Sequence, residues 1–211
     1  MKTELEQVLP GEIERRSFEI ITEELGERNI EEKYAPIIKR VIHTTADFDY
    51  ADNLVFSEGV VEKALEALQN GACIVTDTQM AKAGINKKAL AEFGVEIYNF
   101  IADEEVAALA KEKGTTRSAA CMDKAEMLNK PVIFVIGNAP TALVRIYELV
   151  QEGRLKPELI IGTPVGFVNV VQSKEMIMGL SVPHIIAKGR KGGSNVAAAI
   201  VNALLYMIYE R

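Results

Sequence analysis

Tryptophan is absent from this chain, and its 211 residues contain only two cysteines (Cys73, Cys121) and two histidines (His43, His184). None of the four forms a short-range pair such as C-x-x-C or H-x-x-x-H, so no protein-ligated metal is expected. The cysteines read as reduced, buried small hydrophobes. Long apolar runs are also lacking. The most apolar stretch, Val196 to Tyr209, is about fourteen residues interrupted by Asn202, short of the roughly twenty a bilayer requires, and reads as a buried helix. Met1–Glu6 has no apolar h-region of a secretory signal, so a soluble, cytoplasmic protein is expected. Nor is there a basic excess: 24 Lys and Arg face 30 Asp and Glu, a formal net charge of −6. That balance disfavours a nucleic-acid or membrane-surface binder but leaves room for a local basic pocket. No repeat, low-complexity tract or Pro/Ser linker divides the chain, so residues 1–211 read as one domain. At 48% apolar and 26% charged, its composition excludes disordered and fibrous classes.

The first third carries helical periodicity. Ile13, Phe18, Ile21 and Leu25 share one face; Ala35-Pro36 opens a second helix through Ile37, Ile38, Val41 and Ile42; Ser57 reads as the N-cap of a third that stops at Asn70-Gly71. From residue 72 the pattern becomes short apolar runs between helices: Cys73–Val75, Val95–Tyr98, Val132–Ile136, Leu159–Ile161 and His184–Ala187. Uniformly apolar strands alternating with helices predict an α/β fold. The expected architecture is a mostly parallel, roughly five-stranded sheet with helices on both faces and an N-terminal helical layer.

Ligands of open parallel sheets bind beyond the carboxyl ends of the strands, where following helix N-termini favour anions. Here those ends read Thr76-Asp77-Thr78, Gly137-Asn138-Ala139-Pro140, Gly162-Thr163-Pro164-Val165-Gly166 and Lys188-Gly189-Arg190-Lys191-Gly192-Gly193-Ser194. The last, with three cations and three glycines, is the strongest anion signal, although neither a P-loop nor a G-x-G-x-x-G fingerprint is present. Arg40 and His43, three apart on the second helix, project on one face. An imidazole can exchange a proton at neutral pH, and a neighbouring guanidinium can hold a carboxylate. On spacing alone, His43 could equally be a helix-end surface residue, and Thr44 and Thr45 could simply end the helix. Arg15, Arg16 and Ser17 read as a solvated helix face or a pocket rim. Thr116 reads as a cap, with Arg117 behind it a possible carboxylate clamp, and His184 as a structural histidine.

Seven motifs then occur in order: Arg15-Arg16-Ser17-Phe18, Ile42-His43-Thr44-Thr45-Ala46-Asp47, Thr76-Asp77, Thr116-Arg117-Ser118-Ala119-Ala120, Ile136-Gly137-Asn138-Ala139-Pro140-Thr141-Ala142-Leu143, Pro164-Val165-Gly166-Phe167-Val168 and Gly189-Arg190-Lys191-Gly192-Gly193-Ser194. From about residue 10 onward this series closely resembles the precorrin-8X methylmutase family, also called cobalt-precorrin-8 methylmutase or precorrin isomerase. The resemblance implies an isomerase of cobalamin biosynthesis. Such an enzyme moves a methyl group from C-11 to C-12 of a corrinoid, a formal 1,5-sigmatropic shift giving cobyrinate or hydrogenobyrinate, with no cofactor. It also implies a homodimer whose sites lie near the subunit interface. The resemblance places the proton-transferring histidine at His43 and substrate contacts at Ser17 and Arg40. Arg16, Thr44, Thr76, Arg117, Gly137, Asn138, Arg190, Lys191 and Gly192 are the further candidate substrate contacts. Two other readings remain open: a non-catalytic corrinoid carrier, and an α/β nucleotide or sugar-phosphate enzyme using the Lys188–Ser194 loop.

Overall fold

The computed structural model describes residues 5–209. After a 3-10 turn at Pro10–Glu12, the chain forms α1 (Ile13–Leu25), α2 (Ala35–Thr45), α3 (Tyr50–Asn53), β1 (Leu54–Phe56), α4 (Val60–Gln69) and β2 (Cys73–Thr76). It continues through α5 (Gln79–Gly84), α6 (Lys87–Glu92), β3 (Ile97–Tyr98), α7 (Glu104–Glu112), α8 (Arg117–Glu126) and β4 (Val132–Ile136). The last third comprises α9 (Pro140–Gln151), β5 (Leu159–Gly162), α10 (Val170–Met178), β6 (His184–Ala187) and α11 (Ser194–Ile208).

The strands form one sheet in the order β1-β6-β5-β4-β2-β3, parallel throughout except for β1, which runs antiparallel to β6. Every residue of β2, β4, β5 and β6 is buried, which is why these strands read as unbroken apolar runs. Alternation still sorts their side chains. Ile133 and Val135 face the core shared with α1, α2, α4, α6 and α11, while Val132, Phe134 and Ile136 face α7, α8, α9 and α10. Helix α11 is buried nearly all round from Val196 to Leu205 because it lies between the sheet and an outer layer containing α2. The outer layer follows from α2's own pattern: Ile37, Ile38, Val41 and Ile42 are buried against α11, leaving Arg40 and His43 off that apolar stripe.

The sheet has six strands rather than roughly five. The extra strand, β1, is three residues long and too short for periodicity to reveal. It also displaces the expected helix start. Ser57 continues the β1–β6 pairing, with its N–H donating to the His184 carbonyl (3.0 Å) and its Oγ accepting the His184 N–H (2.9 Å). The helix starts instead at Val60, behind Gly59 at φ +65°, a left-handed conformation suited to glycine. Among the described residues, no helix is long and apolar enough to cross a membrane.

Candidate active site

The chain leaves β2 towards β3 on one side, whereas β4 leads to β5 on the other. The carboxyl ends of β2 and β4 therefore mark the switch point where open α/β sheets place ligands. In this protein that crevice is filled from within. The Asp77 carboxylate, just after β2, accepts N–H bonds from Gly137 (2.9 Å), Asn138 (2.8 Å) and Ala139 (2.7 Å). Burial pushes the Asp77 carboxyl up, and the three amides only partly pull it back. Gly137 has no room for a side chain, since a Cβ would lie 2.6 Å from Ser194 Cα. The Ser194 Oγ in turn bonds Thr78 Oγ1 at 2.7 Å. Thr76 is buried, its hydroxyl directed to the carbonyls of Thr78 (3.1 Å) and Tyr98 (3.3 Å). The backbone amides of Gly137 and Asn138 and the hydroxyl of Thr76 are thus used in fastening the strand ends together.

An open cleft lies instead on the helical layer, about 670 Å³ in volume and walled by residues including Ile13, Glu14, Arg40, His43, Asn86, Lys88 and Tyr206. His43, exposed in the last turn of α2, is fixed from α1: Ser17 Oγ lies 2.8 Å from its Nδ1, and the Phe18 ring stacks on it at 5.4 Å and 20°. With Nδ1 so engaged, Nε2 is the ring nitrogen left without a hydrogen bond among the described residues. Arg40, one turn earlier, lies with its guanidinium between the rings of Phe18 (4.7 Å) and Tyr206 (5.1 Å) and pairs with Glu14. A planar guanidinium stacked on aromatics is held in direction. Asn86 caps α6 and donates from Nδ2 to the Tyr206 hydroxyl (3.1 Å), tying the far wall together.

His43, Arg40 and Ser17 are therefore brought together around Phe18. Thr44 is adjacent, but its hydroxyl bonds back to the Arg40 carbonyl (2.9 Å), as expected of a helix end. Arg16 points elsewhere, to Glu6 at 2.7 Å. Arg117 is exposed at the start of α8, behind the capping hydroxyl of Thr116, which meets Thr141 at the start of α9 (2.8 Å). Its place is on the sheet's carboxyl rim, outside the walls of the His43 cleft.

The glycine-rich 188–193 loop also lies on that rim. Lys191 Nζ bonds Asp47 (2.7 Å) and Asp49 (2.6 Å), which hold its ammonium far above the ordinary lysine value and pull Asp47 below the ordinary carboxylate value. This ion pair joins the loop to the segment leaving α2, four residues past His43. Arg190 is exposed, with its guanidinium over Phe167 at 5.4 Å. Gly192 is required by close approach, since a Cβ would meet the Thr163 carbonyl oxygen at 2.1 Å. Residues assigned no site role from sequence prove to build this region: Glu14, Tyr206, Lys88, Asp47 and Asp49. Glu14 shares a helical face with Ser17 and Phe18 at spacings of three and four, but their meeting with α11 is set only by the fold.

His184 is buried, 5% exposed, with Nδ1 on the Val182 carbonyl (2.9 Å); burial lowers its pKa and favours the neutral ring, as a structural histidine requires. Cys73 and Cys121 are free and buried, and burial pushes the Cys121 thiol up to about 11, so both act as small hydrophobes.

A family model described as precorrin-8X methylmutase matches residues 12–207. The cobalt-precorrin-8 methylmutase of Salmonella typhimurium is 47% identical over 209 residues, covering 95% of this chain and 97% of that protein. The cobalt-precorrin-8 methylmutase of Priestia megaterium is 44% identical over 197 residues, covering 93% and 88%. A crystal structure of precorrin-8X methylmutase from Thermus thermophilus superposes with a TM-score of 0.86 at 38% identity, covering 93% of this chain and 96% of that one. The match along nearly the whole sequence, the shared fold and the ordered motifs give one conclusion: the chain belongs to the precorrin-8X methylmutase family.

Proposed function

We propose that this chain isomerises cobalt-precorrin-8, moving a methyl group from C-11 to C-12 in cobalamin biosynthesis, with His43 giving the macrocycle a proton and taking it back. The carrying observation is the Ser17–His43 contact at 2.8 Å beside the aromatic-braced Arg40 on an open cleft. A sigmatropic shift breaks one carbon–carbon bond as it forms another within the same molecule, so no external nucleophile or oxidant enters the balance. What it needs from a protein is one fixed ring geometry and a proton that biases the conjugated electrons. Ser17 suits that role. As acceptor of Nδ1–H it fixes the tautomer, so that Nε2 alone exchanges the proton while Ser17 keeps accepting from Nδ1 in both ring states. Arg40 then orients a peripheral carboxylate of the substrate, and the cations Arg117, Arg190 and Lys191 on the carboxyl rim meet others. Local positive groups can bind a polyanion despite the net charge of −6, because distant surface charges are screened. Thr76, Gly137, Asn138 and Gly192 act in this scheme by shaping the rim.

The names of the relatives at 47% and 44% identity support the cobalt-bearing substrate over the metal-free one; that cobalt belongs to the substrate. We further infer a cytoplasmic homodimer with its sites near the interface. Phe167 and Val168, 80% and 79% exposed beside Arg190, supply apolar surface for a partner to cover. The reaction is tested by mixing excess protein with cobalt-loaded or metal-free precursor and following the visible spectrum through a single turnover. Conversion of the chromophore, faster with cobalt, is expected. Tight binding without conversion would make the protein a carrier and overturn the assignment.

A further inference from the structure

Lys174 lies in the middle of α10 and is wholly buried, at 0% exposure. Its Nζ donates to two carbonyl oxygens, those of Gly189 (2.8 Å) and Lys191 (2.9 Å). These flank Arg190 on either side. Arg190's own carbonyl accepts the Gly166 N–H (3.2 Å), and the Gly193 N–H donates to the Thr163 carbonyl (2.8 Å), so the loop is stitched to the β5–α10 turn as well.

Burying a lysine without a carboxylate partner is costly, and an apolar side chain of similar length would pack there without that cost. Burial pushes its pKa down to about 8. Charged or neutral, the amine has at least two N–H groups for the two carbonyls it meets, so its grip survives either state. Its long stem reaches from α10 to the underside of a glycine-rich segment that makes no helix or strand of its own. Glycines 189, 192 and 193 give that segment backbone freedom, which Lys174 restricts at the carbonyls on either side of Arg190, beside the loop's bonds to Gly166 and Thr163.

We propose that Lys174 is a positioning residue for the corrinoid site. By holding the carbonyls on both sides of Arg190, it sets where that guanidinium meets a substrate carboxylate. This rests on the 188–193 loop being a carboxylate-binding rim, as proposed above. Lys174 touches no substrate itself, and His43 is anchored separately from α1.

The test compares Lys174→Met, Arg190→Ala and the double variant in steady-state conversion of precursor. Lys174→Met is expected to raise KM about tenfold with kcat within about twofold of wild type, since substrate capture weakens while proton transfer stays intact. In the Arg190→Ala background the same change should add less than about twofold, because the two residues act through one contact. Lys174→Gln, which keeps an amide donor on a shorter stem, should give an intermediate KM and keeps the experiment decisive if the methionine variant does not fold. Wild-type KM in the Lys174 variants, or an undiminished effect in the double variant, would overturn the positioning role while Arg190→Ala still raised KM. An unchanged KM in Arg190→Ala would instead overturn the loop reading beneath it.

Discussion

Asp77 offers the sharpest energetic test of how the strand ends are fastened. Its carboxylate accepts three consecutive backbone N–H groups at 2.7–2.9 Å, and two of the three donor residues, Gly137 and Ala139, are buried. Hydrogen bonds to a charged acceptor contribute about 1.5–3 kcal/mol each. Three independent bonds would exceed the usual range for one side chain, but they share one acceptor whose burial already penalises its charge. Loss of the whole group in Asp77→Ala should therefore cost about 3–5 kcal/mol, at or above the upper end of ordinary single substitutions. Asp77→Asn keeps one accepting oxygen and escapes the charge burial, yet turns an amide donor towards backbone donors; about 1–3 kcal/mol is expected. Urea unfolding at equilibrium, followed by far-UV circular dichroism, measures both, with a common m-value as the check that only stability has changed. A loss below about 0.5 kcal/mol in both variants, the level of an ordinary surface change, would refute the three-amide clasp.

Ser17→Ala removes the hydroxyl that fixes the His43 ring, and single-turnover kinetics should show the methyl shift slowed by about fivefold, the value of one net hydrogen bond, with substrate affinity little changed. Arg40→Lys keeps the charge but loses the planar stack between Phe18 and Tyr206, so KM should rise by about tenfold with a smaller change in kcat. Two buried groups should shape stability against pH in opposite parts of the scale. His184 is lowered by burial, so the unfolded chain takes up its proton first as pH falls below about 6.5, and stability should drop there. Lys174 titrates at about 8 instead of 10.5, so between those values the unfolded chain holds more protons and stability should climb with pH, by an amount on the order of 3 kcal/mol. Urea midpoints across that range should show the alkaline climb in wild type and lose it in Lys174→Met.

Strands β4 and β6 were legible to the residue because a run such as Val132–Ile136, bounded by Pro131 and Gly137, fits little else than a strand buried on both faces. Strand β1 was not, since three residues carry no period, and Ser57 imitated a helix cap while serving the sheet. In the site, the one-turn spacing of Arg40 and His43 was enough to put them on one face. What holds them could not be read so directly: Ser17 is 26 residues away from His43, and Tyr206 meets Arg40 only because α11 packs along α2. The strand ends mislead in a different way. Gly137-Asn138 looks like an anion nest because it is one, but Asp77 supplies the anion from inside the chain. Likewise a buried lysine is indistinguishable from a surface one in a sequence such as Gln172-Ser173-Lys174-Glu175.

If the His43 imidazole moves the proton that accompanies methyl migration, its loss must show in single-turnover conversion by His43→Ala. Because His43 is exposed and is held by its side-chain contacts to Ser17 and Phe18 rather than by core packing, the variant should fold and bind precursor with affinity close to wild type. Its spectral conversion should be slower by at least about a hundredfold, the lower bound for losing a positioned proton donor. Conversion at the wild-type rate would mean that the proton travels by a route without His43.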